Sequence, residues 1–188
     1  MDLVLGFKTQ FRTAVVAALG VLASCMAASS APQDQGWTTY QSGNAGLVFE
    51  YPAAIFSVQK GDPTDALKAR TSDRAGRELT TADGRAILQI GTFPNLDNAT
   101  IDQLKRRAID ASYRDAKLDY NRTAGNWYVV SGTRGAETFY ERVHFSCNGR
   151  RVDIWAVTYP TAEAAMFDAL VDDMARRFRP IIASVKCQ

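Results

Sequence analysis

The chain holds one histidine, three cysteines and six prolines in 188 residues. A single histidine, His144, excludes the multi-histidine ligand sets of catalytic zinc. Cysteines at positions 25, 147 and 187 lack the close paired spacing of a zinc ribbon or a redox motif. No apolar run approaches the roughly 20 residues that a membrane-spanning helix requires. An excess of charge is missing too. The formal net charge is +2, with signs interspersed, so the chain carries no electrostatic footprint for nucleic acid. The stretch "SGTRG", residues 131–135, has neither the lysine nor the spacing of a phosphate loop. These absences imply no metal, no cofactor and no nucleic-acid partner.

What is present is a globular composition, 46% hydrophobic and 22% charged, of a length suited to one domain. The first segment reads differently from the rest. Lys8 and Arg12 precede an apolar run from Ala14 to Ala23, and small residues follow, which is the order of an export signal. Leu22-Ala23-Ser24-Cys25 resembles the lipobox of bacterial lipoprotein signals. That resemblance implies a lipid attachment site at Cys25 and an anchor in a membrane. Cleavage downstream, for instance after Ala27, is the alternative, and it yields a soluble secreted protein. Residues 1–25 are thus expected to be a signal peptide, 26–36 ("MAASSAPQDQG") a flexible linker, and 37–188 a single domain. Either export route leaves Cys147 and Cys187 as an even pair in an oxidising compartment. A disulfide between them would close a loop of about forty residues and contribute about 3–4 kcal/mol in the chain-entropy model. One buried thiol and one exposed terminal thiol is the other arrangement.

Beyond Trp37 the apolar residues alternate. In "GLVFEYP" Leu47, Phe49 and Tyr51 share one face and Pro52 ends the strand. "LTTADGRAILQI" reads as two strands turning at Asp83-Gly84, and "ETFYERVHFSC" and "CNGRRVDIWAVTY" as two strands turning at Asn148-Gly149. Residues 59–77 read as a loop with a short helical turn near Ala66–Lys68. Two helices stand out. The first spans 100–112, with Thr100 and Gln103 placed as a capping box and Ile101, Leu104, Ala108 and Ala111 in one stripe. The second starts at Thr161 and stops before Pro180, with Met166, Leu170, Met174 and Phe178 recurring every four residues. Hairpin strands plus covering helices make an α+β protein with a mainly antiparallel β-sheet covered by two amphipathic helices.

"WTTYQSGNAGLVFEYP" (37–52), the central helix, the aromatic hairpins and the closing helix are similar in order to the Mog1/PsbP-like fold. Small exported bacterial proteins and lipoproteins that carry "G-[LF]-x-F-x-YP" near their start share this plan. The resemblance implies an antiparallel sheet flanked by helices. It also implies an accessory or binding role rather than catalysis.

The Asn148-Gly149 turn predicts a register in which cross-strand partners sum to 297. Phe139, Val143, Phe145, Val152, Ile154 and Ala156 then form an apolar core face. Tyr140, Arg142, His144, Asp153, Trp155, Val157 and Tyr159 form the other, which is expected to be half exposed. On it His144 opposes Asp153, which predicts a raised histidine pKa, and Arg142 opposes Trp155 as a cation–π pair. Tyr140, Arg142, His144, Asp153 and Trp155 are therefore the ligand-binding candidates, for an unknown protein or small-molecule ligand. Catalysis is poorly supported. His144 and Cys147 leave opposite faces of one strand, and a hydrolase would need Ser131 brought to His144. The expected role is an exported, membrane-anchored accessory or binding domain of the bacterial cell envelope, periplasmic in location. A secreted hydrolase using His144 and a structural interaction module are the alternatives.

Overall fold

The computed structural model describes residues 36–42, 47–60 and 76–179. Cys25, Cys187 and the helical turn expected near Ala66–Lys68 lie outside them. Among the described residues the strands are β1 (Trp37–Gln41), β2 (Val48–Pro52), β3 (Val58–Lys60), β4 (Gly76–Thr80), β5 (Ile87–Pro94), β6 (Lys117–Ala124), β7 (Trp127–Arg134), β8 (Glu137–Ser146) and β9 (Arg151–Pro160). The helices are α1 (Ile101–Ser112) and α2 (Ala164–Arg177). β1 and β2 form a separate hairpin, while the other strands make a seven-stranded sheet in the order β3-β4-β5-β9-β8-β7-β6, antiparallel throughout.

The β8–β9 register is the one the turn residues predict: Phe145 pairs with Val152, Val143 with Ile154, and Arg142 with Trp155. Asn148 (φ 54) and Gly149 (φ 84) both take the left-handed backbone, and Arg150 N–H donates to the Cys147 carbonyl at 3.2 Å. Cys147 (φ 52) is left-handed as well, so strand pairing stops at Ser146–Arg151 and a 3₁₀-type turn over Cys147–Gly149 makes the connection, with the predicted register kept. α1 begins as expected. Gln103 N–H donates to Thr100 Oγ1 at 3.2 Å, and Thr100 N–H donates to Gln103 Oε1 at 2.7 Å.

Three details differ from expectation. The closing helix is shorter: residues 161–163 form a 3₁₀ turn, and α2 ends at Arg177 with Phe178 already extended. Within it Met166 is half exposed, and the buried stripe is Phe167, Leu170, Val171 and Met174. "KLDYNRTA" is a strand, β6, although its residues are mostly polar. It is the sheet edge, where Lys117, Asp119 and Arg122 face water rather than a core. Residues 58–60 likewise pair with β4 instead of opening a loop.

The larger difference concerns the sheet face expected to be half exposed. At the sheet centre both faces are core. Phe93, Val130, Val143, Val152 and Ile154 pack with Ala108 of α1 on one side. On the other, Leu88, Ile90, Trp155, Val157 and Tyr159 pack with α2 and with Leu47, Phe49 and Tyr51 of the hairpin. Burying Trp155 completely sets the position of this layer: Phe49 lies 5.3 Å from it and Tyr140 stacks on it at 4.8 Å, between ring centroids. Arg177 ties α2 to the hairpin, donating to Glu50 at 2.8 Å with its guanidinium 4.2 Å from the Trp37 ring.

β6 carries a bulge between Leu118 and Tyr120, opposite Gly132 and Ser131. A Cβ at Gly132 would stand 2.0 Å from the Lys117 carbonyl oxygen, a backbone atom that cannot swing away. The bulge therefore requires glycine on the partner strand. Gly132→Ala is expected to cost about 1–3 kcal/mol, the usual cost of overpacking, read as a lowered urea midpoint. Gly84 has open space around it but φ +72, so Gly84→Ala isolates the cost of a left-handed backbone, about 1 kcal/mol, from that of a clash.

Candidate functional site

α2 and the hairpin cover β5 and β9 but not the whole face. Over β6, β7 and β8 the same side of the sheet stays open beside α2, leaving a groove of about 610 Å³. β6 supplies Asp119 and Tyr120, β7 supplies Trp127 and Ser131, and β8 supplies Tyr140 and Arg142. The helix contributes Asp168 and Asp172, and Tyr159 closes the inner wall. The β6 bulge sits directly on this rim. Without it the alternation of β6 would not bring Asp119 and Tyr120 to adjacent positions on the groove.

The predicted binding residues divide between this groove and the core. Tyr140 and Arg142 line the groove. Trp155 is fully buried under Phe49 and Tyr140, so it supports the groove wall and offers no surface to a ligand. Asp153, also buried, accepts from Thr92 Oγ1 at 2.8 Å. His144 lies beyond the groove, edge-on to Phe178 with centroids 6.5 Å apart.

Two expected pairings are corrected. Arg142 does not stack on Trp155; its guanidinium lies 5.5 Å from the Trp127 ring and 5.4 Å from Phe178, and its Nη1 donates to the Ala175 carbonyl at 3.3 Å. Direct cross-strand neighbours project side by side from a sheet, so Arg142 reaches past Trp155 to the rings flanking it. Nor is the His144 pKa raised. Burial pulls it down, and the positive charge of Arg142 adds to the effect. Burial raises the Asp153 carboxyl, against the opposing hydrogen bonds from Thr92 and Ser146 and the charge of Arg151. Desolvation outweighs attraction at this end of the sheet. The buried nitrogens Arg142 Nε, His144 Nδ1 and Trp155 Nε1 have no hydrogen-bond partner.

Burial likewise raises the Tyr140 pKa, as it does that of Tyr159, whose hydroxyl donates to Asp168 Oδ1 at 2.6 Å. Both phenols are therefore neutral donors across the physiological range. Arg142 is engaged by two rings and a carbonyl. Of the exposed groove carboxylates, Asp119 is paired with Lys117 at 2.9 Å and Asp168 accepts from Tyr159, which leaves Asp172 as the most open negative charge. Ser131, on the groove wall, pairs with Tyr140, four residues from His144. That is about 13 Å of strand, too far for Ser131 and His144 to share a proton. Among the described residues no group of three His, Cys, Asp or Glu side chains is arranged to hold a metal ion.

Sequence reasoning missed Tyr120 and Asp119, whose strand looked polar, and Glu141. The last lies on the apolar face of β8 between Phe139 and Val143 and is buried there. It accepts from Tyr128 at 2.6 Å and from Tyr113 at 2.8 Å. A carboxylate at a core-facing position of an alternating strand is the signal that marks it.

No family model matches the chain, and no curated protein matches it. Among solved structures it is similar to the solution structure of cyanobacterial PsbP (CyanoP) from Synechocystis sp. PCC 6803. The two are 16% identical, with a TM-score of 0.55, over 86% of this chain and all of that one. The fold is PsbP-like, an α+β arrangement with a mainly antiparallel sheet and two helices.

The depressed pKa of His144 has a definite sign in stability. The unfolded chain takes up the histidine proton first, near its ordinary pKa of about 6.5. Stability from the neutral, half-buried ring is thus complete above that pH and is lost as pH falls toward the lower folded value. Asp153 acts in the opposite sense, its raised folded pKa adding stability as the carboxyl protonates. Urea midpoints are expected to fall on acidification just below about pH 6.5, and His144→Gln to flatten that decline. An unchanged slope in the variant would contradict the burial-driven shift.

Proposed function

We propose that this chain is an exported accessory or binding domain of the bacterial cell envelope. It recognises a cationic, extended segment of a partner protein in the groove between β6–β8 and α2. The observation that carries this reading is the groove's lining: aromatic and phenolic walls, the exposed carboxylates Asp168 and Asp172 beside an Asp119 paired with Lys117, and an arginine already engaged by its neighbours. Trp127 is already met by Arg122 at 5.9 Å and by Arg142, so a partner's lysine or arginine gains from the exposed Tyr120 ring through cation–π contact and from the carboxylates through charge. The separation of Ser131 from His144 argues against the hydrolase reading and in favour of binding. Anchoring through a lipidated Cys25 and a Cys147–Cys187 bridge belong to the same proposal, supported by the export-type segment before residue 26 and by cysteine parity. A periplasmic, membrane-anchored location follows from them.

A lysine-rich peptide serves as the probe for the groove. Its affinity is expected to fall with added salt, and Asp172→Asn and Tyr120→Ala are each expected to weaken it roughly two- to five-fold, the worth of an exposed pair. Peptide binding indifferent to both substitutions would remove the groove from the function. The anchor is tested by intact-mass measurement on protein from its native membranes. A chain beginning at Cys25 with added acyl mass and a two-hydrogen deficit is expected. An unmodified chain with free thiols would refute both covalent assignments.

A further inference from the structure

The opposite face of the sheet holds a second space. α1 lies over it with Ala108 as its one fully buried residue and with Ile101, Leu104 and Ile109 partly buried against the same apolar cluster. Beneath it opens a cleft of about 540 Å³. Its floor is Tyr128, Val143, Val152 and Ile154, none more than 2% exposed, and Phe93 and Leu104 wall it.

The polar groups around this cleft are already engaged. Asn95 donates from Nδ2 to the Ala99 carbonyl at 3.0 Å and to the Gly149 carbonyl at 2.8 Å, and its Oδ1 accepts from Ala99 N–H at 3.0 Å. Its amide is spent on holding the 95–99 loop in place. The Tyr128 hydroxyl donates to Glu141. At the mouth Arg107 is paired with Asp97, and neither presents a net charge to an incoming ligand. At the same mouth Leu96 stands 74% exposed on that stapled loop, an apolar lip facing water.

We infer that this cleft binds an uncharged, hydrocarbon-like small molecule with the bulk of roughly three benzene-sized groups. The engaged amide, phenol and ion pair select against ligands that need hydrogen bonds or a counter-charge. The apolar floor, the apolar side of α1 and the exposed lip favour one that needs only burial. The site is separate from the groove, because side chains of one strand alternate: Val143 points into the cleft, whereas Arg142 points into the groove.

Fluorescence titration of the whole protein with N-phenyl-1-naphthylamine, an uncharged apolar probe, tests the assignment. Saturable binding of one probe per chain, unaffected by added salt, is expected. Ala111→Phe, which fills the mouth from α1, should weaken it by about tenfold or more. Leu96→Asp, a change at an exposed position that leaves the core intact, should weaken it as well. Tyr120→Ala, in the groove, should leave it unchanged, so failure of the groove reading and failure of this one are distinguishable. Absence of saturable binding would overturn the inference. So would saturation that survives both mouth substitutions, or loss of binding in Tyr120→Ala. A probe-free dimer that Leu96→Asp dissolves would also overturn it, because the lip would then be covered by a second copy.

Discussion

Strand β9 has water on neither side, and that requirement organises the molecule. Six consecutive residues, Val152 to Val157, are buried, including Asp153. A strand in that position must be covered twice, once by each layer. Each large side chain completely removed from water contributes about 1.5–3 kcal/mol, and Trp155, Ile154, Val152 and Val157 all reach that limit or nearly so. α1 supplies one cover. The other is composite, α2 with the β1–β2 hairpin, and its parts meet at the rings of Phe49, Trp155 and Phe178. Because the cover centres on β5 and β9, it ends before the outer strands do. The groove is a consequence of where that cover stops.

Polar groups enter this double core under strict terms. A buried carboxylate is tolerable where donors converge on it. Glu141 meets the condition through two phenols, one from β7 and one from the turn after α1, so it fixes both the helix end and the sheet. Asp153 meets it less fully, and its carboxyl is pushed toward the neutral form. His144 is the opposite case: a titratable ring with an unpartnered nitrogen and a neighbouring positive charge. Cross-strand acid and base on a ladder do not neutralise each other when one of them turns to a closer donor, as Asp153 does to Thr92.

Where local chemistry decides the outcome, the sequence is legible. The Asn148-Gly149 turn, the Thr100 capping box, the face shared by Leu47, Phe49 and Tyr51 and the cross-strand register all follow from backbone preference and alternation. What the sequence conceals depends on long-range placement. Tyr140, Arg142, His144, Asp153 and Trp155 do share one face, as their spacing says. Whether that face is covered depends on a helix and a hairpin far away in the chain. Polar content hid β6, because an edge strand with exposed sides obeys no alternation. The groove needed both hidden facts, the position of α2 and the existence of β6, and so only Tyr140 and Arg142 could be picked out in advance.

Placing two spaces on opposite faces of the same outer strands gives them different chemistries without different elements. β8 alternates Val143 and Phe145, with the phenol-bonded Glu141, against Tyr140 and Arg142, so one strand presents a mainly apolar series to α1 and a polar pair to the groove. Each wall is held by stacking on its own face: Tyr140 rests on Trp155, and Tyr113 stacks on Phe139 at 4.2 Å. A densely packed sheet transmits small displacements poorly as gradual bending and better as shifts of whole packed units. β8 is the strand that the two walls have in common.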